Sequence, residues 1–300
     1  MEQVKVVMST FNGEEHIIRQ IDSIIQQSGV HVSILIRDDG STDETISLLR
    51  QYSKDHQQVQ VLAGRNIGWR KSFIEVLKVA DSAEYYAFSD QDDVWIKEKL
   101  EKSIKILRQA DSKKPAMVHC NRFSCSEDLK PFDSQSMKVR KPVSRKNALT
   151  QEYAQGCTIV MNSAAKKLVT RYQPNEMAPH DFWTGLICYY FGSVYYLDER
   201  LIYHVRYNGS QSFAGDIKSG QKSRLKSMFT KKQIYYNPAE DLMSGYSDLL
   251  TKEDLSFLKC AATAKRSLVS RMRLLFDRDF RRVSRGGTFL LKINVLLGRF

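Results

Sequence analysis

The chain has 300 residues, of which 42% are hydrophobic, 27% charged and 10% aromatic, so it can bury one large core or two smaller ones and is not of the disordered, collagen-like or low-complexity classes. Its net charge of +12 is uneven, because residues 217–300 hold 18 Lys and Arg against 7 Asp and Glu. The five cysteines are odd in number and lack C-x-x-C spacing, which argues against a disulfide framework or a zinc site.

The first third of the chain alternates between apolar runs and segments with helical periodicity. Short strands are predicted at residues 4–8, 32–36, 59–62 and 85–88. Helices are predicted at residues 17–25, 45–52, 72–79 and 96–107. The pairs Asn12 with Glu15 and Ser41 with Glu44 have the spacing of helix caps. Strands and helices that alternate over short connections predict an α/β fold with a mostly parallel sheet flanked by helices.

The following part is less regular. We predict a polar loop at 123–136 and a mobile basic stretch at 138–146. Strands are predicted at 118–119, 154–161 and 193–197, with helices at 163–169 and from 178 to 190. A last apolar segment covers residues 202–208.

Polar clusters follow three of the predicted strands, at residues 9–12, 38–39 and 90–93. Each cluster alone could be turn chemistry, since Asp, Asn and Ser are common in turns. The carboxyl ends of parallel strands meet at one edge of a sheet, however, and ligands bind at that edge. Three clusters at one edge favour a binding site over three unrelated turns.

The third cluster has the pattern D-x-D. Asp90 and Asp92 would project from the same side of an extended segment. Mg²⁺ and Mn²⁺ prefer oxygen ligands and often bind one or two carboxylates together with substrate phosphates. The sequence therefore predicts a Mn²⁺ or Mg²⁺ site that holds the diphosphate of a nucleotide.

The motifs in chain order resemble those of family-2 glycosyltransferases, and most closely the bacterial rhamnosyltransferases and related enzymes of surface polysaccharide synthesis. The resemblance implies a GT-A fold and a nucleotide-sugar donor, and it covers about residues 3–212. It rests on STFNGEE (9–15), IRDDGSTDE (36–44), NIG (66–68), SDQDDVW (89–95), QGCT (155–158) and HDFW (180–183).

The resemblance also implies roles for individual residues. Asp181 matches the catalytic base, and Asp90 and Asp92 match the metal motif, with Asp93 as an accessory. Nucleotide binding is implied for Ser9, Thr10, Asn12, Glu14 or Glu15, Asp38, Asp39 and Asp90.

The implied chemistry is a single displacement. A carboxylate takes the proton of the attacking hydroxyl, while the metal stabilises the departing nucleoside diphosphate, so the anomeric centre inverts.

His180 either orients Asp181 or is a packing residue at the start of a helix. Trp95 and Trp183 either stack on a sugar or belong to the core.

One segment departs from the family pattern. Related sequences often carry Tyr-Arg-x-His, whereas this chain has Tyr203-His204-Val205-Arg206. The exchange leaves a metal-ligand role for His204 open, and Arg206 could instead face the diphosphate.

The basic C-terminal part, residues 217–300, combines Arg and Lys with aliphatic residues at helical spacing. We expect a catalytic domain at 1–216 followed by this helical extension. The extension is interpreted either as an anchor on an anionic membrane or as a helical cap packed on the domain. The first interpretation implies a cytoplasmic, peripheral location on the inner face of the plasma membrane. It agrees with a lipid-linked glycan acceptor, which the family resemblance implies. Nucleic acid is not an expected partner.

Three other functions remain open at this stage. A UDP-hexose transferase for galactose, glucose or GlcNAc would use the same motifs. A sugar-phosphate nucleotidyltransferase would need a glycine-rich phosphate loop, which STFNGEE is not. A non-catalytic peripheral membrane protein with a degenerate transferase domain would not need the four aspartates 39, 90, 92 and 181.

Overall fold

The computed structural model describes residues 1–132, 141–175, 177–206 and 236–300. The chain divides into two compact units. The first unit comprises residues 1–141, 154–171 and 179–206, and the second comprises 142–153, 172–178 and 207–300. Two short segments, 142–153 and 172–178, therefore belong with the C-terminal part, although the sequence indicated a single division after residue 216.

The first unit is built on one sheet of eight described strands in the order β3-β2-β1-β4-β7-β6-β8-β5. Four of its neighbouring strand pairs are parallel and three are antiparallel, so the sheet is mixed. The strands are β1 Glu2–Thr10, β2 Val30–Asp38, β3 Val59–Ala63, β4 Tyr85–Ser89, β5 Val94–Trp95, β6 Ala116–Cys125, β7 Ile159–Asn162 and β8 Ser193–Val205.

Helices connect and flank these strands, as the alternating sequence pattern predicts. In chain order they are α1 Ile17–Ile25, α2 Thr45–Asp55, α3 Trp69–Val79, α4 Lys99–Leu107, α5 Arg145–Ala148, α6 Ser163–Val169 and α7 His180–Phe191. Of these, α5 belongs to the second unit. The α/β architecture predicted from the sequence is thus present.

The core of the first unit lies at the central strands. Val6 and Met8 of β1 and Ile34 and Ile36 of β2 are fully buried, as is Ile21 of α1. Removing this apolar surface from water is the main stabilising contribution to such a sheet, at about 25 cal/mol per Å². It also explains why the central strands read as nearly continuous apolar runs.

The parallel register brings the ends of three strands together. Thr10 of β1 pairs with Asp38 of β2, and Met8 of β1 pairs with Ser89 of β4. The loops that follow these three strands therefore start from the same edge of the sheet. The three polar clusters of the sequence lie in those loops.

The two predicted helix-capping pairs are not capping pairs. Neither α1 nor α2 has a side-chain cap. Asn12 Oδ1 instead accepts a hydrogen bond from Thr42 N at 2.9 Å, and Ser41 Oγ accepts one from Asn12 N at 2.9 Å. These side chains link neighbouring loops, and a side chain engaged across loops does not cap its own helix.

Three segments differ from the sequence prediction in extent. Residues 156–158 form a 3₁₀ turn, and the strand predicted at 154–161 begins only at β7. The start of the predicted loop at 123–136 belongs to β6. The segments predicted at 193–197 and 202–208 join in β8, because both pair with other strands of the sheet. Residues 133–140, 176 and 207–235 lie outside the described part. The rest of the predicted loop at 123–136, the end of the segment 202–208 and part of the basic stretch 138–146 are therefore untested.

The described C-terminal part of the second unit consists of four helices. Thr251, Ser267 and Ser284 cap the last three of them by accepting a backbone N–H three residues ahead. Among the described residues, no helix has the length and hydropathy needed to cross a membrane. The helices are α8 Ala239–Tyr246, α9 Lys252–Thr263, α10 Leu268–Phe276 and α11 Arg285–Leu296.

The turn into β8 requires glycine at position 192. A Cβ atom at Gly192 would lie 1.7 Å from the carbonyl oxygen of Pro115, which accepts a hydrogen bond from Ser193 N at 2.9 Å. We therefore expect Gly192→Ala to lower the free energy of unfolding of the first unit by about 3 kcal/mol. Denaturation followed by tryptophan fluorescence measures this, since Trp69, Trp95 and Trp183 all lie in the first unit.

Gly286→Ala is the matched control for this prediction. No heavy atom lies within 4 Å of a Cβ placed at Gly286, which is in the first turn of α11. Unfolding followed by circular dichroism should show no loss of stability for this variant and a gain of at most about 1 kcal/mol. A wild-type unfolding curve for Gly192→Ala would contradict the close approach at Pro115.

Candidate functional site

The loop after β1 is fixed by the side chain of Gln91. Its Oε1 accepts hydrogen bonds from Thr10 Oγ1 at 2.6 Å and from Phe11 N at 2.8 Å. Its Nε2 donates to Phe11 O at 3.2 Å. Gln91 thus joins the first polar cluster to the third. The sequence analysis missed this residue, although it lies at the centre of the SDQDD motif.

The other predicted residues of the first loop contact their neighbours across the same edge. Ser9 Oγ lies 2.6 Å from Ser72 Oγ on α3. Glu14 Oε2 accepts a hydrogen bond from Glu44 N at 2.7 Å, ahead of α2. Together with the bond from Thr42 N to Asn12, these contacts hold the first and second loops against each other.

Asp38 and Asp39 at the end of β2 are almost fully buried. Asp39 Oδ1 accepts hydrogen bonds from Arg37 Nη1 at 2.5 Å and from Ile67 N at 2.9 Å, and its Oδ2 accepts from Gly68 N at 2.9 Å. Gly68 has φ of +82°, a conformation that favours glycine. The segments 36–44 and 66–68 are therefore joined by one carboxylate, and Arg37 is a further residue that sequence reasoning missed.

Asp38, next to Asp39, accepts hydrogen bonds within its own loop. Its Oδ1 accepts a hydrogen bond from Ser41 N at 3.1 Å, and its Oδ2 accepts one from the Ser41 hydroxyl. A carboxylate oxygen has two lone pairs, so these bonds leave acceptor capacity on Asp38.

The third cluster pairs Asp93 with His204. Asp93 is fully buried, and its Oδ1 lies 2.7 Å from Nδ1 of His204 on β8. Burial alone would lower the pKa of His204, but the Asp93 carboxylate outweighs burial and the pKa is raised. The other Asp93 oxygen, Oδ2, is buried without a hydrogen-bond partner among the described residues.

Asp90 interacts electrostatically with Asp93 and His204. Desolvation, followed by the nearby carboxylates of Asp93 and Asp92, raises the pKa of Asp90 to about 8. His204 acts in the opposite direction, and Asp181 adds to the increase. Crowded carboxylates of this kind disfavour their own ionised forms unless a cation compensates them.

The donor atoms present suit a hard divalent cation. Atoms of Asp93, Cys157 and His204 lie within 4.8 Å of one another. Burial, reinforced by Asp93 and Asp90, raises the pKa of Cys157 well above the usual value of a thiol, so its sulfur stays protonated. The remaining donors are carboxylate oxygens and an imidazole, which fit Mn²⁺ or Mg²⁺ better than a thiolate-bound metal. With Nδ1 engaged by Asp93, the Nε2 atom of His204 is the nitrogen left for coordination.

Asp181 lies at the start of α7, next to the 3₁₀ turn. Its Oδ2 accepts a hydrogen bond from Gly156 N at 3.1 Å, and its Oδ1 accepts from Phe182 N at 2.7 Å. Its charge contributes to the raised pKa of Asp90, so the two carboxylates are close enough to interact. The segments QGCT and HDFW, distant in sequence, thus form one local structure.

His180 lies among aromatic rings. It stacks on Phe73 with 3.9 Å between ring centroids and meets the edges of Phe88 and Trp69. Burial lowers the pKa of His180 to about 4, so the ring is neutral at pH 7. A Cβ at Gly156 would lie 2.3 Å from His180 Nε2. These contacts favour the packing interpretation of His180.

The two tryptophans belong to the core. Trp95 is 3% exposed and Trp183 is fully buried, and Trp183 Nε1 donates to Val169 O at 3.3 Å. Their rings are therefore not presented to a ligand.

Arg206 follows directly after β8. It donates its backbone N–H to Cys125 O at 2.9 Å.

Arg122 is a cation near this cluster that the sequence analysis missed. Its Nη1 donates to Ser124 Oγ at 2.6 Å, and its Nε donates to Gln155 in the QGCT segment. Its charge lowers the pKa of His204, which places the guanidinium within electrostatic range of that ring. No pattern along the chain marks Arg122, since its partner Gln155 lies 33 residues away in the QGCT segment.

The model of glycosyl transferase family 2 matches residues 5–171, which is more than half of the chain. The chain is 38% identical over 105 residues to dTDP-rhamnosyl transferase RfbG of Shigella flexneri, which covers 33% of this chain and 36% of that protein. It is 34% identical over 107 residues to the putative teichuronic acid biosynthesis glycosyltransferase TuaG of Bacillus subtilis, which covers 35% of this chain and 42% of that protein.

Among solved structures, that of S. aureus TarS residues 1–349 in complex with UDP-GlcNAc matches with a TM-score of 0.56 and 17% identity. The match covers 98% of this chain and 90% of that chain. At this identity the likeness shows the fold alone, and it confirms the expected GT-A architecture. Because the family model covers more than half of the sequence, the chain belongs to glycosyl transferase family 2.

Proposed function

We propose that the protein is a metal-dependent, inverting glycosyltransferase. It moves a sugar, with rhamnose favoured, from a nucleoside-diphosphate sugar to a hydroxyl group of a growing, lipid-linked bacterial surface glycan. The observation that carries the proposal is the convergence of Asp90, Asp92, Asp93 and Asp181 at one edge of the sheet, where their charges interact.

The nucleotide is proposed to bind over the first and second loops. Ser9, Thr10, Asn12 and Glu14 lie in one of these loops, and Asp38 and Asp39 begin the other. The cross-loop hydrogen bonds support this assignment, because a pre-formed loop loses little conformational entropy on binding. Asp39 contributes mainly by holding the loops, since three donors already engage it.

The metal is proposed to bind Asp90 and Asp92, with His204 as a further ligand and Asp93 as its orienting partner. A bound Mn²⁺ or Mg²⁺ would offset the negative charge that develops on the departing diphosphate. The raised pKa of Asp90 supports a cation here, because positive charge would favour the ionised carboxylate. A carboxylate-bonded imidazole is a common arrangement for a metal ligand.

Asp181 is proposed as the base that takes the proton of the acceptor hydroxyl. Two backbone N–H groups fix the orientation of its carboxylate. A single base with no second nucleophile leads to displacement with inversion.

The donor and acceptor are proposals drawn from the relatives. The Shigella protein is named a dTDP-rhamnosyl transferase, and the Bacillus protein is assigned to teichuronic acid biosynthesis. The first name supports dTDP-rhamnose as the donor, and the second supports a glycan such as teichuronic acid as the product. The TarS complex contains UDP-GlcNAc, which keeps a UDP-hexose donor as the alternative.

The basic C-terminal part is proposed to hold the enzyme on the inner face of the plasma membrane, near a lipid-linked acceptor.

A non-catalytic protein is the competing function. The aspartates that the chemistry needs are all present and lie at one edge, which disfavours that alternative.

Asp181→Asn tests the assignment of the base. The variant should lower the transfer rate by a factor of about 10³, because the amide cannot accept the proton. Affinity for the nucleoside diphosphate should change by less than about threefold, since Asp181 does not hold the nucleotide in this account. Sugar transfer and calorimetric binding of UDP or dTDP measure the two effects. Near wild-type turnover would remove Asp181 from the role of base.

Asp93→Asn tests the metal assignment. Loss of the charge that orients His204 should weaken Mn²⁺-dependent binding of UDP or dTDP by about 10- to 100-fold. Binding measured in EDTA should be the same for the variant and the wild type. The control is Asp111→Asn, an exposed aspartate outside the site. Equal loss with and without metal would mean that the substitution damages the fold rather than a metal site.

A panel of nucleotide sugars tests the donor. With Mn²⁺ present, dTDP-rhamnose should raise the melting temperature more than UDP-glucose, UDP-galactose or UDP-GlcNAc, because a ligand stabilises the state that it binds. A larger shift with one of the UDP-hexoses would replace rhamnose by that sugar and leave the transferase assignment intact. No shift with any donor would favour the non-catalytic alternative.

A further inference from the structure

The helix α10 exposes one apolar face. Leu268, Val269, Met272 and Phe276 are all exposed, with Phe276 at 78%. At about 100° per residue these four side chains lie within roughly 100° of arc around the helix. Leu274 on the opposite side is buried. Within the part of the chain that the structure describes, the helix therefore packs with one face and leaves a second, continuous apolar face uncovered.

The helix α11 repeats this arrangement. Phe289, at 69% exposed, shares one side of the helix with Leu296 and Leu297, which follow at seven and eight residues. Leu291 and Val295 on the other side are buried. Exposed single apolar residues are ordinary on protein surfaces, but two stripes of large side chains on neighbouring helices are not.

Two basic side chains hold α10 and α11 together as an antiparallel pair. Arg271 on α10 donates to Lys265 O at 2.7 Å and to Leu296 O at 3.5 Å, near the end of α11. Lys292 on α11 donates to Leu274 O at 2.5 Å and to Asp277 O at 2.9 Å, at the other end of α10. The start of α10 therefore lies near the end of α11, and both contacts involve the last five residues of α11.

The surroundings of these faces are strongly basic. Residues 265–300 contain ten Lys and Arg but only two acids, Asp277 and Asp279. Arg273 and Arg285 are exposed and lie next to the apolar stripes of α10 and α11. Exposed apolar side chains flanked by arginines are the composition that binds the interface of an anionic bilayer.

We propose that the exposed faces of α10 and α11 form the surface by which the protein docks on an anionic lipid bilayer. Phe276, Phe289 and the leucines enter the boundary between headgroups and acyl chains, while Arg273 and Arg285 meet lipid phosphates. The inference deepens the membrane part of the proposed function and rests on it for the lipid-linked acceptor. The net positive charge opposes the other occupant, a second copy of the same basic surface.

Vesicle sedimentation without donor or acceptor tests the docking surface directly. The wild type should bind vesicles of phosphatidylglycerol and phosphatidylcholine, and it should bind pure phosphatidylcholine far more weakly. Phe276→Ser with Phe289→Ser should reduce binding at least about tenfold, because two large apolar groups no longer leave water. Arg273→Gln and Arg285→Gln should each reduce it about fivefold at low salt, and less at high salt.

Matched controls separate the docking surface from general effects. Phe132→Ser removes an exposed phenylalanine of the first unit, and Lys54→Gln with Lys78→Gln removes two exposed charges there. These variants should bind vesicles like the wild type. All the substituted side chains are exposed, and unchanged melting temperatures would verify that the variants fold.

Sugar transfer to a water-soluble acceptor, measured without vesicles, keeps this inference separate from the proposed function. Vesicle binding that depends on Phe276 and Phe289 supports the docking surface whether or not transfer occurs. A wild type that transfers sugar but does not bind anionic vesicles would overturn it and leave the transferase assignment standing. Loss of a dimer in the phenylalanine variant, with no vesicle binding by the wild type, would overturn it in favour of self-association.

Discussion

The candidate site of the first unit depends on the crowding of carboxylates at one edge of its sheet. Asp90, Asp92 and Asp93 follow β4, and Asp181 acts on Asp90 from the start of α7. Burial and these neighbouring like charges raise the pKa of Asp90, at a cost in stability. Within the protein, His204 offsets part of this charge through its bond to Asp93. The remaining negative charge is the physical reason to expect a cation at this edge, and a bound cation could in turn hold a diphosphate.

The motifs that mark the family hold the loops of the candidate site in place. Gln91 fixes the loop after β1, and Asp39 joins the loop after β2 to residues 66–68. Gly156 makes room for His180 and donates its N–H to Asp181. Substitutions within these motifs therefore alter the shape of the site even where the residue touches no substrate.

In the second unit, the charged residues are mostly basic, and those of α10 and α11 lie beside exposed apolar faces.

Much of this arrangement was predictable from the sequence, and its limits have physical causes. Apolar periodicity located β1, β2, β3, β4 and the helices between them, because burial of the central sheet imposes that pattern. The prediction of two helix-capping pairs was wrong because Asn12 and Ser41 form hydrogen bonds between loops, which spacing along the chain does not reveal. The bond between Asp93 and His204 spans 111 positions of the chain, so only the fold brings them together. Arg122 was missed for the same reason, because its partner Gln155 lies 33 positions further along the chain.

The central claim is that the carboxylates at positions 90 and 92 bind a divalent cation together with the diphosphate of the donor. Anomalous diffraction from crystals grown with Mn²⁺ and UDP or dTDP tests it most directly. The account predicts one manganese peak within coordination distance of oxygens of Asp90 or Asp92 and of the diphosphate, with His204 Nε2 facing the ion. A bound nucleotide with no manganese at these residues, or a peak elsewhere, would contradict it.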